Sequence, residues 1–215
     1  MSIFDDEEDK LNEVDRGVIE KFLRSNYLAE WEISSVPNED GLYEVSCPGR
    51  VVFLGSYLTS LTNGLFTWTR VGGDFCCSNK PLISLKGAPK YVGGMFWCSS
   101  CRALTTLEGA PEEVKEDFTC DNCDSLVSLK GAPKKVGGNF DCSYCWGITS
   151  LEGGPEQVGS SMNLSWCKSL KTLDGAPKEI RRAINCSYCK SLTSLDAIPS
   201  KLRGNVNTLN CTSLI

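Results

Sequence analysis

A repeat of 22 residues runs through most of the 215-residue chain, and it restricts the possible folds more than any other feature. Proline recurs at this interval at Pro89, Pro111, Pro133, Pro155, Pro177 and Pro199. Apolar columns keep the same period, from Leu85 to Leu195, from Val92 to Leu202 and from Phe96 to Val206. Self-similarity at a fixed period is the signature of repeat architectures, so the chain is expected to fold as an array of equivalent units.

Each copy approximates V-G-G-x-F-x-C-S-x-C-x-x-L-T-S-L-x-G-A-P-x-x and has no room for a helix of ordinary length. The alternating Phe-x-Cys piece predicts a strand of about three to five residues. Gly-Ala-Pro and Gly-Gly predict turns, and proline interrupts strand pairing. We therefore predict a repeat solenoid in which short parallel strands stack on one side, about 4.8 Å apart, with turns and loops on the convex side.

Two columns of charged residues support stacking in register. One column reads Lys86, Glu108, Lys130, Glu152, and another reads Lys90, Glu112, Lys134, Glu156, Lys178. The sign alternates from copy to copy, and opposite charges on neighbouring strands contribute roughly 0.2–1 kcal/mol per pair. Equivalent residues of consecutive coils are therefore expected to lie directly above one another.

The segment before the array differs in pattern. Leu11, Val14, Val18, Phe22 and Leu23 recur at helical spacing, which predicts an amphipathic helix over residues 8–25 with strand-like pieces after it. We assign residues 1–46 to an acidic N-terminal segment whose helical cap covers the end of the core. Residues 47–215 form the predicted solenoid of about eight coils, the first of them degenerate.

At the other end the last copy stops halfway round a coil, at Leu214-Ile215. An uncovered edge strand is a template for pairing with another chain. A homodimer formed through this C-terminal edge is therefore one hypothesis for the assembly of the protein.

The chain contains thirteen cysteines and no histidine. Catalytic sites built on Cys–His or Ser–His–Asp and Cys₂His₂ zinc sites are therefore excluded. Phosphate-binding and dinucleotide-binding motifs are absent as well, and we expect no enzyme activity and no cofactor. Residues 1–20 hold eight acidic and two basic residues, and the net charge of the whole chain is −5. With no basic stripe, nucleic acid is not the expected partner.

The start of the chain indicates the compartment. Met1 is followed by an acidic stretch, the opposite of a secretory signal. No apolar run approaches the roughly 18 to 20 residues of a membrane span. We expect a cytoplasmic protein with reduced thiols and no membrane partner.

The piece Phe140-x-Cys142-x-x-Cys145-x-x-Ile148-Thr149 resembles the strand and turn of cysteine-containing leucine-rich repeats. Over about residues 45–215 the whole unit more closely resembles leucine-rich-like repeats encoded by tailed bacteriophages and some bacteria. The resemblance implies a leucine-rich-repeat-like solenoid that presents a surface to another macromolecule. For a phage protein, it implies an inhibitor or modulator of a host bacterial protein, such as a defence component, in the host cytoplasm. The sequence departs from the commoner pattern by carrying cysteine where asparagine often stands, with Lys80 in the short copy.

Ten cysteines fall on two columns of the repeat: Cys98, Cys120, Cys142 and Cys186 on the first, and Cys101, Cys123, Cys145, Cys167, Cys189 and Cys211 on the second. Paired C-x-x-C motifs are typical of zinc sites. Here they recur once per coil, and Leu164 occupies a first-column position, which favours a ladder of buried thiols. A zinc-binding or redox module remains the alternative function.

If Phe and Cys point inward, the residues between and beside them form an outward strand face. The candidate partner-binding residues on this face are Trp97, Asp117, Thr119, Asp121, Asn139, Asp141, Tyr144, Trp146, Asn163, Trp166, Asn185 and Tyr188. Tyr144, Trp166 and Tyr188 are expected to stack on three adjacent coils, and exposed aromatic residues among small polar ones are typical of interaction hot spots. A purely structural stack is the alternative. The leading prediction is a non-enzymatic scaffold that binds another protein through this face; a self-associating structural protein is the third possibility.

Overall fold

The computed structural model describes residues 5–25, 30–54 and 57–215, with side chains from residue 13 onward. It shows a β-solenoid of stacked parallel strands, preceded by one helix, α1 (Asp5–Ser25), within the residues described. In chain order the strands are β1 (Glu32–Ile33), β2 (Tyr43–Cys47), β3 (Val51–Val52), β4 (Phe66–Val71), β5 (Phe75–Cys76), β6 (Tyr91–Val92), β7 (Phe96–Trp97), β8 (Glu113–Val114), β9 (Phe118–Thr119), β10 (Lys135–Val136), β11 (Phe140–Asp141), β12 (Gln157–Val158), β13 (Met162–Asn163), β14 (Glu179–Ile180), β15 (Ile184–Asn185), β16 (Lys201–Leu202) and β17 (Val206–Asn207).

The strands form two sheets, whereas the sequence predicted one. The first sheet has nine strands in the order β1-β2-β4-β6-β8-β10-β12-β14-β16, and the second has eight in the order β17-β15-β13-β11-β9-β7-β5-β3. All pairs are parallel except β1 with β2. The eight strands of the second sheet delimit seven complete turns. Each regular turn therefore contributes two strands of two residues each, shorter than the predicted three to five.

The register follows the repeat. Phe118 pairs with Phe96 on one side and with Phe140 on the other, and each pair is separated by one 22-residue period. The degenerate first copy is in register as well, because Val51 pairs with Phe75. Identical coils stack because each residue then meets its own equivalent, so backbone hydrogen bonds and side-chain contacts are satisfied together. The predicted in-register stacking is confirmed.

The core is a set of columns that run along the solenoid. The rings of Phe75, Phe96, Phe118 and Phe140 stack with centroids 5.2–5.4 Å apart and planes within 5°. Each aromatic pair of this kind contributes about 0.5–1.5 kcal/mol beyond the area it buries. The predicted leucine columns are buried beside them; Leu104, Leu126 and Ile148, for example, have no exposed surface.

Helix α1 packs against the first turn with a different face from the predicted one. Ile19 and Leu23 are fully buried, and the Phe22 ring lies 5.6 Å from that of Phe66. In contrast, Val14 is 65% exposed and Val18 46% exposed, so assigning them to the buried face was wrong. The reason is that Ile19, Phe22 and Leu23 have the i, i+3, i+4 spacing of one stripe, and this stripe faces the first turn. The side chain of Leu11, also assigned to the face, lies outside the described residues.

The charge columns hold fewer ion pairs than their alternation suggested. Among the described residues of the two columns, only Lys130 and Glu108 form a salt bridge, at 2.6 Å. The other members are exposed side chains, and solvated charges of this kind contribute little to stability. Strands β16 and β17 are the last of their sheets, and the predicted self-association through this end stays a prediction.

Candidate functional site

A sharp reversal of the backbone follows each regular strand of the second sheet. One residue per turn adopts φ between 56° and 64° there: Asn79, Ser100, Asn122, Tyr144, Trp166, Tyr188 and Asn210. The left-handed region is uncommon for residues other than glycine, asparagine and aspartate, because the Cβ atom approaches the following carbonyl. Asparagine occupies three of the seven positions, as expected. Three others, Tyr144, Trp166 and Tyr188, carry aromatic side chains.

A ladder of side-chain amides supports this reversal. In the strand before each aromatic residue, the Oδ1 atom of Asp141, Asn163 or Asn185 accepts a hydrogen bond from the backbone N–H two residues ahead, at 2.8–3.2 Å. The Nδ2 groups also donate from turn to turn, from Asn163 to Asp141 at 3.0 Å and from Asn185 to Asn163 at 3.1 Å. These three candidate residues therefore hold the turns that present the aromatic side chains, and their oxygen atoms are already engaged within the solenoid.

The three aromatic residues, called the aromatic ladder below, stack as predicted. The rings of Tyr144 and Trp166 lie 5.8 Å apart, and those of Trp166 and Tyr188 lie 4.2 Å apart, with planes within 7° in both pairs. Tyr144 is 43% exposed, and the other two are half-buried. Trp166 is therefore stacked on both faces and each tyrosine on one, so the middle of the ladder presents ring edges to the solvent.

Trp146 and a lysine extend the ladder sideways. Trp146 is 45% exposed, and the Lys168 Nζ atom lies 4.5 Å from the centroid of its ring. The same ammonium group lies 5.7 Å from the centroid of the Trp166 ring. Cation–π contacts of this kind contribute about 0.5–1 kcal/mol at exposed sites. They hold a positive charge at the edge of the ladder.

The remaining candidate residues lie on earlier turns. The half-buried Trp97 packs under the Arg50 guanidinium, whose carbon lies 5.6 Å from its ring centroid. Asp117 accepts hydrogen bonds from the backbone N–H and the side-chain amide of Asn139, at 2.6 and 3.2 Å. The last two candidate partner-binding residues, Thr119 and Asp121, are half-buried on the same face.

The two cysteine columns differ in their hydrogen bonds. Each second-column thiol donates to the carbonyl oxygen of the first-column residue one turn earlier, at 3.0–3.4 Å. Cys189, for example, donates to the carbonyl of Leu164. The first column supplies volume, which leucine can also fill, whereas the second column supplies a donor. This explains why the second column keeps cysteine in every regular turn.

Burial protects several of the thiols from ionisation. Burial raises the pKa of Cys77 and Cys98 well above the usual range, and it raises the pKa of Cys186 to about 12. All thirteen cysteines are free thiols. In the part of the chain that the structure describes, no group of three or more Cys, Asp or Glu side chains is arranged to hold a metal ion. A neutral buried thiol is a poor nucleophile and a poor metal ligand.

Sequence reasoning missed two features of this surface. It did not find the left-handed column, although asparagine at Asn79, Asn122 and Asn210 was a usable signal. It also missed Lys168, because the lysine joins the aromatic residues only when consecutive coils stack.

A separate open groove of about 540 Å³ lies on the first turns, lined in part by Phe66, Ile83 and Lys86.

Comparison of the chain with known protein families, with curated proteins and with solved structures finds no match. No helix in the described ranges has both the length and the apolar character that crossing a membrane requires.

Proposed function

We propose that this protein is a non-enzymatic scaffold that binds another protein through the strand face, with the aromatic ladder at the centre of the contact. The single observation that supports this proposal is the placement of Tyr144, Trp166 and Tyr188 at left-handed backbone positions. Large aromatic side chains that are partly exposed among small polar residues are typical of the groups that dominate binding energy in protein interfaces.

The energetics favour binding over a purely structural stack. A left-handed conformation costs roughly 1–2 kcal/mol per ordinary residue, or about 3–6 kcal/mol for three. The two stacked pairs return about 1–3 kcal/mol in total. Asparagine tolerates the same conformation and occupies it on other turns of this solenoid. Stacking alone therefore gives no reason to prefer aromatic residues over asparagine at these three positions.

The resemblance of the repeat to leucine-rich-like repeats of tailed bacteriophages supports the finer part of the proposal. On that resemblance, we place the protein in the cytoplasm of a bacterial host, where it modulates or inhibits a host protein, with a defence component as the first partner to test. This step rests on analogy of fold and source, since fold alone does not specify function.

The test uses the column's own alternative residue. In a ladder-to-asparagine variant, Tyr144→Asn, Trp166→Asn and Tyr188→Asn remove the aromatic surface but keep a residue that the backbone accepts. The tagged wild-type protein and this variant are used for quantitative affinity purification from a bacterial lysate. We expect a specific host protein to be captured by the wild type and reduced at least tenfold with the variant.

The control removes three large apolar side chains elsewhere that are more exposed than the ladder, through Tyr57→Asn, Ile83→Asn and Val127→Asn, which are 92%, 71% and 56% exposed. Circular dichroism and the denaturation midpoint verify that both variants are folded. A partner captured equally by the ladder variant, or lost equally with the control, would contradict the choice of face.

A further inference from the structure

We propose that the surface around the aromatic ladder recognises an acidic, acceptor-rich segment of its partner protein. This inference deepens the proposed function and rests on it. Three observations carry it: the unused hydrogen-bond donors at the tips of the aromatic side chains, the uncompensated lysines beside them, and the opposite charges of the two ends of the chain.

The first observation concerns polar tips. Among the described residues, the Tyr144 and Tyr188 hydroxyls and the indole N–H groups of Trp146 and Trp166 have no hydrogen-bond partner. The buried Trp68, in contrast, donates its indole N–H to the Leu61 carbonyl at 3.1 Å. An indole N–H can only donate, and a phenol can donate to any acceptor. The ladder therefore offers a row of donors that complements carboxylates and carbonyl groups.

The second observation concerns charge next to the ladder. Lys168 and Lys190 occupy equivalent exposed positions on consecutive turns, each directly after a second-column cysteine. Within the part of the chain described, neither has a carboxylate within salt-bridge distance. The two tryptophan rings hold the Lys168 ammonium group near the tips, so its charge adds to the row of donors. A carboxylate that contacts an ammonium group and an indole N–H together gains charge-assisted hydrogen bonds.

The third observation concerns the whole chain. Residues 161–215 contain eight basic and three acidic residues, a net charge of +5, whereas residues 1–44 contain thirteen acidic and four basic residues, a net charge of −9. An acidic partner is therefore attracted toward the C-terminal turns and repelled from the N-terminal segment. Such asymmetry orients partners as they associate.

The geometry favours an acidic protein segment over nucleic acid. Single-stranded nucleic acid binds by stacking its bases on open aromatic faces. Both faces of Trp166 are covered, by Tyr144 at 5.8 Å and by Tyr188 at 4.2 Å between ring centroids, so a base could reach at most one face of each tyrosine in the ladder. The donor groups at the ring edges remain available to carboxylates.

The experiment measures binding of three fluorescein-labelled probes to the full chain by fluorescence anisotropy at low ionic strength. The probes are an acidic twelve-residue peptide of alternating Glu and Ser, the same peptide with Lys in place of Glu, and a twelve-nucleotide single strand of DNA. We expect the acidic peptide to bind at least tenfold more tightly than the other two. Tighter binding of the DNA, or equal binding of the two peptides, would overturn the inference.

Charge variants locate the contact. Lys168→Gln with Lys190→Gln is expected to weaken binding of the acidic peptide at least fivefold, as is the ladder-to-asparagine variant. The matched control is Lys178→Gln with Lys201→Gln, which removes the same charge from exposed lysines on the same turns but on the side of the first sheet. Equal weakening by the control pair would show a diffuse charge effect and refute the site.

The two proposals fail separately. If affinity purification yields a ladder-dependent partner that still binds the Lys168/Lys190 double variant, the proposed function stands and the acidic-segment inference is wrong. If the acidic peptide binds at the ladder but no host protein depends on the ladder, the proposed host-binding function is wrong.

Discussion

The hydrogen bonds of the cysteine columns predict that a single substitution has opposite consequences three residues apart. Cys186 and Cys189 belong to one C-x-x-C motif, and both are fully buried. The Cys189 thiol donates a hydrogen bond to the Leu164 carbonyl at 3.1 Å. The Cys186 thiol is instead buried near the thiols of Cys167 and Cys211. Serine is smaller than cysteine at both sites to the same degree, so comparing the two sites isolates the hydrogen bond.

Serine at position 189 keeps an O–H donor for the same carbonyl, and we expect a cost below about 1 kcal/mol in the free energy of unfolding. Serine at position 186 buries a hydroxyl without a carbonyl acceptor, which costs about 1–3 kcal/mol. Alanine inverts the order. Cys186→Ala removes the polar atom and is expected to be milder than Cys186→Ser. Cys189→Ala removes one of the two hydrogen bonds that the Leu164 carbonyl accepts, and leaves the one from the Cys167 backbone N–H at 3.1 Å. It is therefore expected to be worse than Cys189→Ser.

The four variants are compared by guanidinium denaturation under reducing conditions, followed by circular dichroism and tryptophan fluorescence. Both midpoint and slope are needed, because stability in a solenoid is a sum over turns and their interfaces. The inverted order of serine and alanine at the two positions is the decisive result. If alanine is the milder substitution at both positions, the thiol–carbonyl hydrogen bond does not stabilise the turn and the distinction between the two columns is wrong.

Three further predictions follow from the same contacts. The pKa of Cys186 is raised to about 12, and the pKa values of nine other cysteines are also raised. The folded state therefore keeps these thiols neutral, whereas the unfolded chain ionises them above about pH 8.5. The contribution of these thiols to stability is therefore constant below that pH and is lost as the pH rises, for Cys186 by about 1.4 kcal/mol per pH unit toward pH 12. Denaturation midpoints at pH 8 and 10 measure the loss; equal midpoints would contradict the burial of the columns. With a thiol reagent at neutral pH, Cys76 and Cys211, the two half-buried cysteines, react in the folded protein and the other eleven react only on unfolding; uniform fast labelling would refute this. Gly131→Ala is expected to lower the free energy of unfolding by about 2 kcal/mol or more, because φ is +87° and the new Cβ would lie 2.5 Å from the Glu108 Cα. Gly17→Ala in α1 has open space around its Cβ and is expected to raise the free energy of unfolding by about 0.5–1 kcal/mol. The same denaturation assay measures both.

Much of the fold was accessible from the period of the sequence. Phe96, Phe118 and Phe140 had to meet one another in any array of identical coils, and they do. The second sheet was not accessible, because a strand of two residues such as Tyr91–Val92 is too short to show alternation. Its hydrogen bonds are made only to the neighbouring turns, and no local pattern reports them.

The candidate surface divides in the same way. The stacking of Tyr144, Trp166 and Tyr188 followed from their shared column and was confirmed. The roles of Asp141 and Asn163 did not follow, because a side chain on an outward face can either bind a partner or bond to the next turn. The Asn163 Nδ2 atom lies 3.0 Å from an Asp141 carboxylate oxygen, so these side chains bond to each other between turns. Only the stacking of the coils produces that distance.

The sequence by itself determined that the chain is a solenoid, which residues share a column and which columns point inward, because a strict period leaves identical units one favourable way to stack. Tertiary structure decided which polar groups form hydrogen bonds between turns and which remain without a partner on the described surface. The Cys189 thiol, three residues after Cys186, donates a hydrogen bond to the turn before it. The Trp166 side chain keeps an unpaired N–H donor next to Lys168. The physical reason is that these properties depend on atoms one turn away, about 22 residues along the chain, and arise only when the coils are in contact.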